Sequence, residues 1–209
     1  MSEIVMPFPR IPSRARRLLL LGALALPLAG CGHKSDQVWQ LDNITGVMPD
    51  LQFNLTNDLG QKVTAQTYRG KVVLLYFGYT HCPDVCPTTM QLMSSVVQQL
   101  GPEAKDVRIL FVSVDPKRDT DAILKAYTQA FSPYAVGLTG TMKEIDAITR
   151  RYRVAFSYGK PDAHGNYAVD HSAGVYIFGR NGRIRLLASD SNPPSAWVHD
   201  LKQLLAEPA

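Results

Sequence analysis

From residue 46 onward, hydrophobic and polar positions alternate between strand-like and helix-like stretches. A continuous apolar, β-branched run at 72–77 is typical of a strand buried on both faces of a sheet, and residues 107–114 predict a second buried strand. Elsewhere apolar residues recur at helical spacing, and one such segment opens with Thr141-Met142-Lys143-Glu144, which fits a capping box. Helices are predicted around residues 90–100, 119–127, 141–148 and 197–204.

Turn signals separate these stretches and define the fold class. The alternating stretch 51–55 leads into a turn at residues 57–60, which predicts an N-terminal hairpin. Asn181-Gly182 is a strong hairpin signal between the predicted strands 174–178 and 184–187. Strand, helix and strand followed by a hairpin and a helix predict an α/β sandwich with a mixed sheet.

The positive charge of the chain is concentrated at its N-terminus. Four of the 22 Lys and Arg residues, but only one of the 18 Asp and Glu residues, lie in positions 1–30. The net charge is therefore +4 for the whole chain but +1 for positions 31–209, with 18 basic and 17 acidic residues. A nucleic-acid partner needs a basic surface on the folded domain, so we expect none here.

An uncharged stretch at residues 18–32 follows Arg17 and carries a proline, Pro27. Its 15 residues fall short of the roughly 20 needed to span a bilayer, but they match the apolar region of a signal peptide. The stretch contains Leu28-Ala29-Gly30-Cys31, which resembles the lipobox of bacterial lipoproteins, where the Cys is lipidated and cleaved at its N-terminal side. An uncleaved membrane anchor with a chance cysteine is the alternative.

This resemblance predicts three parts of the chain. Residues 1–30 form a lipoprotein signal peptide, residues 31–45 the lipidated Cys31 and a polar tether, and residues 46–209 the folded domain. The domain is then periplasmic and held to a membrane by lipid, without the sequence deciding between the inner and the outer membrane.

Two cysteines four positions apart, Cys82 and Cys86, directly follow the first buried strand and precede a helix. This is the sheet edge where α/β proteins place their sites. If Pro83 lies in the first helical turn, both thiols share one face, and the helix N-terminus lowers the pKa of both. Such a pair can chelate a soft metal or close a disulfide. A purely stabilising disulfide over so short a loop contributes about 2 kcal/mol at most.

The segment 77–87, Phe-Gly-Tyr-Thr-His-Cys-Pro-Asp-Val-Cys-Pro, resembles the signature of the Sco/SenC family of copper proteins. Residues 113–120 and 170–173 match further segments of that family, and the similarity covers about residues 46–205. The resemblance implies a thioredoxin-like α/β/α sandwich with a central mixed sheet and an N-terminal β-hairpin.

The resemblance also implies one copper ion per domain, Cu(I) or Cu(II), bound by Cys82, Cys86 and His171. Soft thiolates select Cu(I), and imidazole suits both oxidation states. Zinc is the main competitor, but a structural zinc site has four protein ligands, and His81, the one further candidate in the motif, is expected to be exposed. Asp170 is predicted either to orient the imidazole of His171 or to be a solvated loop acid.

The function that the resemblance implies is a periplasmic copper metallochaperone that delivers copper to the CuA centre of cytochrome c oxidase. Its expected partners are the oxidase subunit carrying CuA, the membrane, and other periplasmic copper carriers or thiol reductants. The alternative is a thiol–disulfide oxidoreductase, or a redox or copper sensor, using Cys82 and Cys86. The chain has Cys-x3-Cys instead of the Cys-x2-Cys of thioredoxins, and it has no proline between Pro161 and Pro193.

Overall fold

The computed structural model of the chain describes residues 38–208, and the predicted signal peptide and Cys31 lie outside this range. The strands are β1 Asp42–Asn43, β2 Asn54–Asn57, β3 Lys62–Thr64, β4 Val72–Gly78, β5 Val107–Ser113, β6 Ala135–Thr139, β7 Phe156–Tyr158, β8 Val169–His171, β9 Val175–Phe178 and β10 Ile184–Ala188. The α-helices are α1 Val85–Gln99, α2 Asp121–Phe131, α3 Met142–Arg151 and α4 Pro194–Ala206. Two short 3-10 helices cover Ala65–Tyr68 and Gly101–Asp106.

Eight strands form one mixed sheet in the order β1-β10-β9-β4-β5-β6-β2-β3. The central strand β4 runs parallel to β5 and antiparallel to β9, and β5 runs parallel to β6. The N-terminal hairpin β2–β3 joins this sheet through β6. The predicted α/β sandwich with a mixed sheet and an N-terminal hairpin is therefore confirmed.

Every residue of β4 is buried, because both faces of the sheet are covered. Successive side chains of a strand point to opposite faces. Accordingly, the ring of Tyr76 lies 6.0 Å from that of Phe111, whereas the ring of Phe77 lies 6.2 Å from that of Tyr152, directly after α3. α1 packs against α4, so this helix is held both by the sheet and by a second helix.

The helix cap and the hairpin turn predicted from the sequence are both present in the structure. Thr141 caps α3 by accepting a hydrogen bond from the amide of Glu144, whose carboxylate accepts one from the Thr141 amide at 2.8 Å. Asn181-Gly182 turns β9 into β10, and Gly182 has a φ of +74°, which a side chain would strain. Thr120 caps α2, while its neighbour Asp119 points into the interior.

A second, two-stranded sheet lies outside the main one. It consists of β7 and β8, paired antiparallel so that Phe156 lies opposite His171. We call residues 156–171 the His171 arm, since the histidine is its last residue. The arm was not predicted, because its three-residue strands are partly exposed and lack a continuous apolar pattern.

The end of the predicted tether forms part of the compact unit Val38–Ala209. The backbone amides of Gln40 and Leu41 donate to the buried carboxylate of Asp200 on α4, and β1 then pairs with β10. Because these interactions use the backbone of residues 40–43, the polar side chains of this segment did not predict them. Within residues 38–208, no helix combines the length and apolar character required to cross a bilayer.

Candidate metal centre

The loop between β4 and α1 is held in place by a buried carboxylate from the neighbouring strand connection. Asp119 accepts hydrogen bonds from the Thr80 amide at 3.0 Å, from the Thr80 hydroxyl at 2.6 Å and from the Ser113 hydroxyl at 2.6 Å. Its side chain has no exposed surface. Asp119 thereby fixes the loop two residues before Cys82.

The last residue of β4 makes room for a thiol. A Cβ atom on Gly78 would lie 2.9 Å from Cys86 Sγ and 2.8 Å from Phe111 Cε2, closer than real Cβ contacts. Only glycine therefore lets the Cys86 thiol sit directly against the end of the sheet. This close approach, and not backbone conformation, is the reason for a glycine here.

Three side chains converge at this point. Cys86 Sγ lies 3.1 Å from His171 Nε2, and the Cys86 amide donates to Cys82 Sγ at 3.5 Å. The two sulfur atoms and one ring nitrogen lie within 4.8 Å of one another. The imidazole packs against aromatic edges, with its centroid 6.1 Å from both the Tyr76 and the Tyr79 rings. The structure thus brings together the three ligands named from the sequence.

The second ring nitrogen of His171 lies near a backbone carbonyl. Nδ1 is 3.1 Å from the Ser172 carbonyl oxygen, so a proton on Nδ1 donates to that oxygen and leaves Nε2 free as a ligand. Burial lowers the pKa of His171, although the Ser172 carbonyl and the charge of Asp170 act in the opposite direction. The imidazole is therefore neutral at neutral pH, which metal binding requires.

Asp170 is exposed on β8. Adjacent residues of a strand point to opposite faces, so its side chain is directed away from that of His171. The contact that orients the imidazole in the structure is the one to Ser172.

The two thiols differ in their environment. Burial would raise the pKa of Cys82, but hydrogen bonds from the Asp84 and Cys86 amides and from the side chains of Cys86 and Tyr79 outweigh it, and the net pKa is lowered. Burial raises the pKa of Cys86 to about 12. The prediction that the helix N-terminus lowers both values is therefore wrong for Cys86, because desolvation of a fully buried thiolate exceeds the effect of the helix.

The condition attached to that prediction also fails. α1 begins at Val85, so Pro83 precedes the helix and Cys82 lies in the loop, while Cys86 is the second helical residue. The Cys82 sulfur instead accepts from the free amide of Cys86, as a capping side chain would.

Three further side chains in or near the motif, those of His81, Met90 and Met93, carry atoms that can bind a metal. His81 is exposed, as expected, and its Nδ1 contacts the Thr80 hydroxyl at 3.1 Å. Met90 and Met93 are fully buried in the core on α1. Among the His, Cys, Asp and Glu side chains of residues 38–208, the group that could hold a metal consists of Cys82, Cys86 and His171.

This donor set fits a soft metal. At zinc, bonds to nitrogen and sulfur are about 2.0–2.3 Å long. Three ligand atoms spread evenly around one ion at such distances would lie about 3.5–4 Å from one another. The observed distances bracket this spacing, from 3.1 Å between Cys86 Sγ and His171 Nε2 to at most 4.8 Å across the cluster. Two thiolates and one imidazole suit copper in either oxidation state and leave out the fourth protein ligand that structural zinc requires.

Sequence reasoning did not single out three residues around this cluster. One is Gly78, which makes room for the Cys86 thiol; the others are Asp119, which holds the loop before Cys82, and Arg118, which lies over the Tyr79 ring. All three lie within the segments 77–87 and 113–120 that resemble the family. Charged residues directly after a buried strand at the site's edge of the sheet were a usable signal for Arg118 and Asp119. The spatial need for Gly78 was visible only in three dimensions.

Comparison with known proteins decides the family. A family model described as SCO1/SenC matches residues 47–206, most of the chain. The chain belongs to the SCO1/SenC family.

Individual relatives agree with this assignment. The human mitochondrial SCO1 homolog is 43% identical to this SCO1/SenC chain over 132 residues, which cover 62% of this chain and 44% of the human protein. The chain spans about half the length of the mitochondrial SCO1 and SCO2 homologs that it matches.

Solved structures show the same fold. Copper-bound ScoI of Bradyrhizobium japonicum is 39% identical with a TM-score of 0.69, covering 75% of this chain and 99% of that one. A SCO1/SenC family lipoprotein from Bacillus anthracis is 25% identical with a TM-score of 0.65, covering 80% and 99%. The expected thioredoxin-like fold is confirmed.

The unequal thiols of this SCO1/SenC protein predict unequal reactivity. With the protein fully reduced at neutral pH, a short pulse of iodoacetamide should modify Cys82 at least about tenfold faster than Cys86, because Cys82 is more exposed and has the lower pKa. Peptide mass spectrometry measures the two rates. In denaturant, where both environments are lost, the rates should become similar. Faster modification of Cys86 in the native protein would contradict the described burial.

Proposed function

We propose that this protein is a periplasmic, lipid-anchored copper metallochaperone that delivers copper to the CuA centre of cytochrome c oxidase. One copper ion is held by the thiolates of Cys82 and Cys86 and by the imidazole of His171. The observation that carries the proposal is the 3.1 Å contact between Cys86 Sγ and His171 Nε2, with Cys82 Sγ completing a cluster within 4.8 Å.

The electrostatics of the cluster favour a cation. A Cys86 thiolate is costly in its buried position, as its raised pKa shows, and a bound cation offsets that cost. Two thiolates with Cu(II) sum to zero charge and with Cu(I) to −1, so one pocket accepts both oxidation states. Since binding displaces thiol protons, copper affinity should fall as the pH is lowered.

The arrangement also suits release of the ion. Cys86 is buried, but Cys82 and His171 are only partly buried and flank the outer side of the cluster. A partner's thiolate or imidazole can therefore approach from solvent and exchange with the outer ligands first. A three-coordinate site leaves room for such an incoming ligand.

Relatedness supports the choice of metal and partner. The similar ScoI structure carries copper, and the Sco family consists of copper-binding proteins of cytochrome c oxidase assembly. The proposed recipient is the oxidase subunit that carries CuA. Other periplasmic copper carriers or thiol reductants are the proposed upstream partners.

Copper titration with ligand variants tests the three-ligand site. The reduced protein should bind one equivalent of copper, and Cys82→Ala or Cys86→Ala should abolish this binding. His171→Ala should lower the affinity by about 100-fold or more, since even loss of a hydrogen bond supporting a ligand usually costs 10–100-fold. Competition with a chromogenic copper chelator measures each affinity.

A matched control is available on the His171 arm. His164 is exposed and lies outside the metal cluster, so His164→Ala should bind copper like the unmodified protein. Unchanged affinity in His171→Ala would refute the three-ligand site, and no copper uptake by the reduced parent protein would refute the chaperone.

The membrane anchor is a separate part of the proposal. It rests on the segment Leu28-Ala29-Gly30-Cys31 and on the basic residues and apolar stretch that precede it. A related solved structure is that of a SCO1/SenC family lipoprotein. We propose residues 1–30 as the signal peptide, residues 31–45 as lipidated Cys31 and a tether whose last residues pack on the domain, and residues 46–209 as the copper-binding domain.

Mass spectrometry of the protein isolated from bacterial membranes tests the anchor. The mature N-terminus should be a diacylglycerol-modified Cys31, and Cys31→Ser should leave the protein unlipidated and uncleaved at this site. Recovery of an intact Met1 or an unmodified Cys31 in the parent protein would contradict the proposal.

A thiol–disulfide oxidoreductase or redox sensor is the second candidate. The observation that favours it is the pairing of a partly exposed thiol of lowered pKa, Cys82, with a buried thiol of raised pKa, Cys86. An exposed attacking thiol beside a buried resolving thiol suits thiol exchange. The copper titration separates the candidates, because a reduced protein that exchanges with glutathione yet binds no copper would be an oxidoreductase.

A further inference from the structure

The His171 arm raises the question of what holds the histidine against the cysteines. β8 belongs to a small sheet of its own, and the arm reaches the site from 85 positions further along the chain than Cys86. The His171 imidazole can stay beside the two thiols only if the arm has a fixed position. The contacts that fix it converge on the loop after β5.

One side chain of that loop touches both halves of the site. The Arg118 guanidinium carbon lies 3.6 Å from the centroid of the Tyr167 ring, on the arm, and 5.6 Å from that of Tyr79, three residues before Cys82. The Tyr79 ring in turn contacts the His171 imidazole edge to face at 6.1 Å. Arg118 is thus sandwiched between the motif loop and the arm.

A buried carboxylate holds this sandwich together. Asp115 accepts a hydrogen bond from the Tyr167 hydroxyl on Oδ1 at 2.9 Å and one from Arg118 Nε on Oδ2. Its side chain is 1% exposed. A further contact, from the Tyr158 hydroxyl to the Val114 carbonyl, ties the other strand of the arm to the same loop. Asp115 therefore holds Arg118 and Tyr167 in fixed positions relative to each other.

We propose that Arg118 is a positioning residue for the metal site, clamping the His171 arm against the motif loop through Tyr167, Tyr79 and Asp115. This inference rests on the proposed copper function. A planar guanidinium can stack flat on a ring while its edge donates to a carboxylate, whereas a lysine ammonium has no plane with which to stack. We assign the effect of Arg118 on copper to the position of His171, so this effect must disappear when the imidazole is absent.

The first test is a double-mutant cycle on copper affinity. Arg118→Met keeps an unbranched apolar stem but removes the charge and the stacking plane. It should lower the affinity of the reduced protein by about 10–100-fold, as loss of a group that orients a ligand usually does, with one equivalent of copper still bound. In the His171→Ala background the same change should have an effect of less than about twofold. Equal losses in both backgrounds, or no loss, would overturn the clamp.

Two variants of Tyr167 provide a graded check and remain informative if Arg118→Met fails to fold. Tyr167→Phe keeps the ring under the guanidinium and removes only the hydrogen bond to Asp115, so it should lose less affinity than Tyr167→Leu. Tyr167→Leu removes the ring and should resemble Arg118→Met. Equal behaviour of the two variants would contradict the stacking contact.

A remote arginine serves as the matched control. Arg185 stacks over Trp39 at 4.9 Å and pairs with Glu207, so Arg185→Met removes the same kind of contact away from the site. It should leave copper affinity unchanged. A loss equal to that of Arg118→Met would mean that general destabilisation, and not positioning, lowers the affinity.

Hydrogen exchange on the copper-free protein separates failure of the clamp from failure of the proposed function. The Gly159 amide donates to the Ala168 carbonyl and the Ser172 amide to the Ala155 carbonyl, and both bonds report on the arm. Arg118→Met should speed their exchange at least tenfold and leave the β4 amides unchanged. Unchanged arm exchange overturns the clamp, whereas faster arm exchange in a protein that never binds copper refutes only the chaperone.

Discussion

The contact between Cys86 Sγ and His171 Nε2 joins two parts of the chain that are built independently, and the site depends on it. The position of Cys86 is fixed by the end of the central strand β4, by Gly78, which has no side chain, and by the start of α1. His171 is set by a separate two-stranded arm that packs on the loop after β5. Because neither part supplies enough ligands alone, the geometry of the site is a property of the whole domain.

Burial makes the two thiols unequal and thereby links metal binding to redox chemistry. Cys86 is driven toward its protonated form by desolvation, whereas Cys82 is stabilised as a thiolate by the amides around it. Both copper binding and disulfide formation remove the proton of the buried thiol, so one cysteine pair supports either chemistry. The third ligand, His171, is what a metal site needs and thiol exchange does not.

Much of the fold was predictable because it follows from local signals. The continuous apolar run at 72–77 and the Asn181-Gly182 turn both appear where they were predicted. The strand Ala135–Thr139, which lies between β5 and β2, was missed because it is short and contains a glycine. The three ligands were named through the family resemblance, but the raised pKa of Cys86 and the role of Arg118 depend on burial and on contacts between distant segments, which a sequence pattern does not encode.

X-ray absorption at the copper edge of the copper-loaded, reduced protein tests the three-ligand site most directly. The geometry around Cys86 and His171 predicts two sulfur neighbours and one imidazole nitrogen per copper, with the imidazole signal lost in His171→Ala. A first shell of sulfur alone, or a nitrogen signal that persists unchanged in His171→Ala, would contradict it.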